Sequence, residues 1–450
     1  MSAGWRRVKN TLIKTTSTIC TFTISDFEQT KEKVLNWTNR FNTFCFLDNH
    51  QYQTAPHTME CLLAAGVKRQ LKANAGSALE KLQQFIEGSS GRSGPAPWLF
   101  GHLGYDLKNE IEKLTSAKPD NIGFADVYFF EPEVIIRLSA NEMIIEAANP
   151  EKVFEEVSGE AIDSLKLRNT HNPINIQNHL SQKEYMAVIN QLKQHILRGD
   201  CYEINFCQEF FAVNADIDPL DIYKKLSIVS PNPFSALYRT EDQWLVCASP
   251  ERFLKKQGNK ILSQPIKGTS KRLMNNKEQD DKSKDDLGNS SKDRSENVMI
   301  VDLVRNDLGK ICEEGTVVAD ELYGIYSFPH VHQMISTISG ELKENIPFTE
   351  IIKATFPMGS MTGAPKVRVM ELIEKYEYSR RGIFSGALGY ISPEGDFDFN
   401  VVIRSIMYNA ESKYLSFQAG SGITFYSEAE KEWEECLLKA EAMKKVLEQH

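Results

Sequence analysis

The spacing of apolar side chains divides the chain into short strands and helices. Near the start, TTSTICTFTI alternates polar and apolar residues, the two-residue period of a strand. Residues 44–48 form a short apolar strand, and 77–86 a helix with Leu79, Leu82, Phe85 and Ile86 on one face. An apolar stretch with two glycines follows at 98–105, then strands over 125–132 and 133–138. The turn-rich 89–97 punctuates this part, and the polar, prolyl 165–180 reads as a linker. Beyond it, Ser181 and Glu184 make a capping box ahead of Tyr185, Val188, Ile189, Leu192, Ile196 and Leu197, which recur at helical spacing until Gly199. A strand over 201–213, a helix over 219–226 and strands over 235–238 and 244–248 come next.

The stretch 249–269, SPERFLKKQGNKILSQPIKGT, carries a turn signal, Gln257-Gly258-Asn259-Lys260, between strand-like flanks, so a β-hairpin is expected. Glu251 and Lys267 are equidistant from Asn259. A three-residue loop centred there sets them opposite each other on one face, whereas a two-residue loop shifts the register by one and sends them to opposite faces. As an exposed ion pair they contribute only about 0–1 kcal/mol. Pro265 and Gly268 point instead to a lysine that touches a ligand, since proline ends ladder donation and glycine lets backbone come close.

The mixed charges of 274–294 read as a solvated loop or lid. The helix expected over 295–308 sets Glu296, Asp302, Arg305 and Asn306 among apolar residues, and groups so embedded usually have buried partners. GSMTGAPK at 359–366 lacks the phosphate-loop spacing but runs into a helix over 367–376, whose free N–H groups suit a carboxylate. A β-meander of 386–391, 397–408 and 414–419 follows. In it Arg404 stands in a strand suited to burial and calls for an anionic partner, and Gly420-Ser421-Gly422 is read as breaking the sheet. The last helix, from Ser427, carries Glu428, Glu432, Glu435 and Lys439 on one stripe opposite Trp433, Cys436, Leu437 and Ala440. Such a stripe is either a wet surface or a metal site.

At 450 residues the chain can bury a substantial core, as two or three domains or one composite unit. Its net charge of −9 argues against nucleic acid or a membrane surface as partner, although a small anion needs only a local cationic pocket. Eight cysteines without CxxC pairs, several in apolar segments, suit a cytoplasmic protein with reduced thiols. No apolar run approaches the roughly 20 residues of a membrane span, and the alternation after Arg6, Arg7 and Lys9 is not that of a signal peptide.

Taken in order, GDCYEINFCQ, SPERF, QPIKGT, SENVMIVDLVRNDLG, GSMTGAPK, FSGALGY, FNVVIRS, AGSGIT and EWEECLLKA resemble the chorismate-utilising enzymes, strongly over about 175–445. These are the synthase subunits of anthranilate and aminodeoxychorismate synthase, with isochorismate and salicylate synthases. The resemblance implies a single large α/β unit, two stacked antiparallel sheets wrapped by helices with the substrate between them. It divides the sequence into an N-terminal subdomain (1–170) and a chorismate-binding catalytic segment (171–450).

The resemblance further implies Mg²⁺ held by Glu296 and Glu435, with Glu432 reaching it through water. It gives Arg404, Lys439 and the backbone at Gly420 and Gly422 to the two carboxylates of chorismate, sets Thr362 near the ring, and counts Thr269 among the substrate-binding residues. Lysine in PIKGT is typical of aminodeoxychorismate synthases, where anthranilate synthases carry alanine. That implies a transferase for the route to para-aminobenzoate and folate, adding ammonia from a separate glutamine amidotransferase subunit. Lys267 is then the covalent nucleophile or an electrostatic holder, and Glu251 the acid. A nucleophilic lysine would need its pKa lowered by a dry pocket or a nearby cation. The alternatives are an anthranilate synthase component and an inactive regulatory or scaffold subunit. Gln333 stands where many relatives have a histidine, with His332 one residue early, which weakens pyruvate elimination as a reading. Asn49 replaces the usual serine of a tryptophan-lining segment, so tryptophan control is not inferred.

Overall fold

The computed structural model describes residues 17–52, 60–90, 96–162, 174–328 and 331–448. Arg6, Arg7 and Lys9, residues 91–95 of the turn-rich stretch and 165–173 of the linker lie outside the described residues. Two antiparallel sheets are stacked. The first, of twelve strands among the described residues, runs in the order Thr18–Thr23, Glu142–Ala147, Val134–Leu138, Cys61–Ala65, Thr43–Asp48, Phe234–Thr240, Gln243–Ser249, Ser405–Asn409, Tyr414–Ile423, Glu203–Ala212 and Gly363–Ala364, with Gln177–Asn178 beside Glu203–Ala212. The second, of ten, runs Ile266–Lys271, Val331–Glu341, Lys260–Gln264, Arg252–Gln257, Phe397–Val401, Ala387–Ile391, Leu99–Leu103, Val127–Glu131 and Arg69–Ala73, with Val318–Ser327 beside Val331–Glu341. Both sheets draw strands from each end of the chain.

The pleat explains the layering. Along Thr43–Asp48, Phe44 and Phe46 join the core formed with helices Phe27–Trp37, Gln182–Leu197, Pro219–Val229 and Ala429–Glu448, while Cys45 turns to the core between the sheets with Tyr238, Cys247, Phe253 and Val401. All eight cysteines are free thiols, and seven are buried. Among the described residues no helix is long and apolar enough to cross a membrane.

Two crossings between the sheets set up the site. The chain leaves the first sheet after Ser249 and enters the second at Arg252. It leaves the second after Val401 and returns to the first at Ser405. The crossings are laced together: Val401 N donates to Glu251 O at 3.0 Å, Ser249 Oγ to Val401 O at 2.6 Å, and Ala248 N to Arg404 O at 3.2 Å. The strand expected over 397–408 is therefore two strands in different sheets, hinged at Arg404, whose φ of 53° is a left-handed conformation costly for a non-glycine residue.

Other expectations are corrected. The hairpin loop has two residues, with Gln257 paired to Lys260, and a bulge then sets Arg252 opposite Gln264, so Glu251 and Lys267 are not cross-strand partners. After Pro265 the chain pairs instead with Val331–Glu341, Ile266 opposite Ile335. Gly420-Ser421-Gly422 does not break the sheet, since it lies within Tyr414–Ile423 with Gly420 opposite Cys207. A Cβ on Gly420 would lie 1.9 Å from Phe206 O, so this glycine serves close backbone approach and not chain reversal.

The charged 274–294 is not a loop but helix Lys277–Asn289 and the start of helix Ser291–Gly309, capped by the side chains of Asn276 and Ser290. Asp280 faces inward and accepts from Arg272 Nη2 at 2.8 Å. On the second helix Asp302 and Arg305 are exposed and pair with each other, whereas Glu296 is buried.

Candidate active site where the sheets cross

Glu251 sits on the first crossing and is 4% exposed. Its Oε1 accepts from Ser360 Oγ at 2.6 Å, which ties it to the turn Gly359–Met361. Burial pushes its pKa up to about 7, and the Ser360 hydrogen bond and the charge of Lys267 only partly offset this. Near neutral pH a substantial share of it therefore keeps its proton and is able to give it.

Lys267 reaches in from the second sheet and donates from Nζ to Glu203 Oε1 at 2.6 Å, on strand Glu203–Ala212 of the first. Gly422 makes room for the pair, because a Cβ there would lie 2.7 Å from Glu203 Oε1 and 3.1 Å from Lys267 Nζ. The lysine is buried, but the nearest charge is a carboxylate and not a cation, so the lowered pKa that a nucleophilic lysine would need is not what the resting site provides. Burial opposes the ammonium form, yet Glu203, Glu296 and Glu251 outweigh it and hold Lys267 above the ordinary lysine range. Glu203 was missed in the sequence, although a carboxylate inside the apolar run 201–213 is the same signal that marked Arg404.

Glu296 is also buried, and burial pushes it up to about 7, offset in part by Lys267. Lys292, one turn earlier, sets Nζ 3.8 Å from Glu296 Oε1 and 3.3 Å from Glu432 Oε1 on the last helix. Glu435 accepts from Lys439 at 2.7 Å. Burial works against its ionisation, but Lys439 outweighs it and holds the carboxyl below its usual range. Lys439 Nζ also donates to Gly420 O at 3.0 Å. Among the described residues no three acidic, histidine or cysteine side chains converge as a ready metal-ligand set. Of the carboxylates at this site, Glu203 Oε2, Glu296 Oε1 and Glu432 Oε2 are buried without a hydrogen-bond partner.

Arg404 has no ion-pair partner among the described residues. Burial holds its pKa below the usual arginine value, and Glu435 is the charge that counteracts this.

The remaining expected residues divide. The Thr362 hydroxyl is buried and donates to Met358 O at 3.1 Å, so it is spent within its own loop. Thr269 is exposed and lies opposite Gln333, whose Oε1 is buried without a partner. His332 points elsewhere: its Nε2 lies 3.2 Å from Asp280 Oδ1 and its Nδ1 2.8 Å from Ser327 Oγ. Sequence reading also missed Arg381, a buried guanidinium that donates to Met361 O at 2.6 Å, Asn205 O at 2.9 Å and Glu377 Oε1 at 2.7 Å, pinning the 359–366 loop to the Glu203 strand.

A stability prediction follows from Glu251. Between the ordinary 4.5 and about 7, the unfolded chain is ionised here while the folded one keeps its proton, so this group makes stability fall as pH rises through that window and leaves it level above. Glu251→Gln keeps an acceptor for Ser360 and removes the buried charge. It is expected to stabilise the protein by about 3 kcal/mol at pH 8, with little change near pH 4.5. Urea unfolding at both pH values checks this, and equal effects at both contradict it.

A description of the chorismate binding enzyme family matches residues 43–445. An anthranilate synthase component I-like protein of Synechocystis is 36% identical over 356 residues, 78% of this chain and 72% of that one. Aminodeoxychorismate synthase component 1 of Escherichia coli is 38% identical over 272 residues, 60% and 59% of the two chains. The crystal structure of anthranilate synthase component I from Streptococcus pneumoniae superposes with a TM-score of 0.75 at 26% identity, covering 87% of this chain and 93% of that one. The chain belongs to the chorismate-binding enzyme family, the chorismate-utilising enzymes of the anthranilate, aminodeoxychorismate and isochorismate synthase group.

Proposed function

We propose that the chain is the synthase component of an aminodeoxychorismate synthase, converting chorismate and ammonia to 4-amino-4-deoxychorismate and water in the cytoplasm. The observation that carries this reading is Lys267, a buried amine within charge reach of a protonated Glu251. An anthranilate synthase typically has alanine there. The component 1 designation of the Escherichia coli relative supports a separate partner, which on this reading is a glutamine amidotransferase subunit.

Arg404 and Lys439, with backbone at Gly420 and Gly422, receive the two carboxylates of chorismate; the unpartnered guanidinium supports this role. Glu251 gives its proton to the C4 hydroxyl, a poor leaving group until protonated. Lys267 attacks C2, the C1=C2 and C5=C6 electron pairs shift to C1=C6 and C4=C5, and water departs from C4. Ammonia then attacks C4, the pairs shift back, the lysine leaves C2, and Glu251 recovers a proton from the new ammonium. One hard displacement becomes two easier ones.

The donor set also fits Mg²⁺. The unbonded oxygens of Glu296 and Glu432 are hard donors in a buried place, and the position of Lys292 between them supports a site that accommodates positive charge. Glu296 and Glu435 would hold the ion, with Glu432 through water, and it would supply positive charge to a substrate carboxylate.

Given chorismate, Mg²⁺ and ammonium at alkaline pH, where free NH₃ is abundant, the purified chain is expected to form aminodeoxychorismate, and glutamine is not expected to replace ammonium. Glutamine hydrolysis by the chain alone would overturn the split-enzyme reading.

A further inference from the structure

The resting lysine poses a chemical question. Nζ of Lys267 must carry a lone pair to attack carbon, yet it is held as an ammonium inside the protein. Its proton needs an acceptor that is close, buried and of fixed geometry. Bulk water is a poor candidate, since Lys267 is only 8% exposed and its one hydrogen bond goes to Glu203. Of the charged groups facing it, Glu251 is engaged with Ser360, Glu435 with Lys439, and Glu296 is approached by Lys292, while the ion pair that Lys267 makes is with Glu203. Glu203 is 1% exposed, meets Nζ at 2.6 Å, and keeps its second oxygen unbonded. Gly422 opens space for this contact, and Glu203 rises from the strand whose neighbour Asn205 is locked by Arg381.

We propose that Glu203 is the proton acceptor of the nucleophile, a positioning residue that takes the proton of Lys267 as the amine attacks chorismate and returns it when the lysine departs. The inference rests on the covalent reading of Lys267 given above. The balance is as follows. Lys267–NH₃⁺ gives one proton to Glu203 Oε1, leaving a neutral amine and a carboxylic acid. The amine lone pair forms the N–C2 bond and the nitrogen becomes a secondary ammonium while the C4–O bond breaks. When ammonia forms the C4–N bond, the electrons of the N–C2 bond return to Lys267, which leaves as a neutral amine and takes its proton back from Glu203. No net proton is gained or lost by the pair. Without Glu203 the same proton has to leave to bulk solvent before each attack.

The test follows adduct formation on the full chain with chorismate and Mg²⁺ but no ammonia, by intact-protein mass spectrometry from pH 6 to 9. In Glu203→Gln the rate at pH 7 is expected to fall on the order of 10²–10⁴-fold. The ratio of variant to wild type, which cancels the titration of Glu251, is expected to rise about tenfold per pH unit as solvent takes over the proton. Glu203→Asp, which keeps a carboxylate one methylene back, is expected to be slower than wild type with a ratio independent of pH. It also serves as the control should the glutamine variant fold poorly. A purely structural role predicts a pH-independent loss in both variants, and that result overturns the inference, as does adduct formation at the wild-type rate in Glu203→Gln. If wild type itself forms no adduct, the covalent reading and this inference fall together, whereas an adduct in wild type and an equal one in Glu203→Gln removes only the inference.

Discussion

Lys267→Ala is expected to lower the rate of chorismate amination by about 10³-fold or more, equivalent to about 4 kcal/mol of barrier, and to abolish the adduct that wild type forms without ammonia. The size follows from the role proposed for the lysine, which would exchange one displacement at C4 for two, each with an activated partner. Truncation also leaves Glu203 buried beside a void, so the apo protein is expected to lose stability, because the carboxylate loses the one hydrogen bond shown to its Oε1 and keeps an unbonded Oε2. Lys267→Arg separates chemistry from charge. It preserves the cation opposite Glu203 but is far less nucleophilic, so it is expected to fold like wild type and be nearly as inactive as alanine. Near-wild-type amination by Lys267→Arg, with no adduct on wild type, would reduce the lysine to a counter-charge.

The second large effect concerns the metal. Glu296→Gln and Glu435→Gln are each expected to cut turnover by about 10³-fold or more, and EDTA to do the same to wild type. Loss of fold is not the reason. Burial, with Glu203 and Glu435 adding repulsion, holds Glu296 up at about 7 despite Lys267, so a neutral amide is at least as well tolerated in the metal-free protein as the carboxylate it replaces. Melting curves without metal are expected to be unchanged or shifted upward for Glu296→Gln. Only the wild type is expected to gain stability from added Mg²⁺, since binding to the folded state alone stabilises it by mass action. Full activity in either variant, or in excess EDTA, removes Mg²⁺ from the scheme.

Local patterns foretold local structure. The capping box at Ser181 and Glu184 marks the helix Gln182–Leu197, and the apolar runs of the first sheet lie close to where their alternation suggested. What the chain could not disclose is which strands neighbour one another across long separations. Glu251 and Lys267 are symmetrically spaced about a turn, yet that turn has two residues and a bulge intervenes; they come within each other's electrostatic reach because the chain crosses between the sheets at one and pairs with Val331–Glu341 at the other. The run 397–408 looks like one strand because both halves are apolar, and the only sign of a hinge is Arg404 itself. The helix Lys277–Asn289 has little apolar face, with Leu287 its one buried apolar residue, so periodicity was silent and the caps Asn276 and Ser290 were the usable signal. Glu203 was overlooked because its strand reads as core, although a charge there required a partner.

On the proposed reading, amination without loss of the enolpyruvyl group sets the chain apart from anthranilate synthases. The most direct measurement is pyruvate released per chorismate consumed by the purified chain with Mg²⁺ and ammonium and no added lyase, with the product resolved by chromatography. Aminodeoxychorismate accumulating without pyruvate is the expected result; anthranilate with one pyruvate for each chorismate would contradict it.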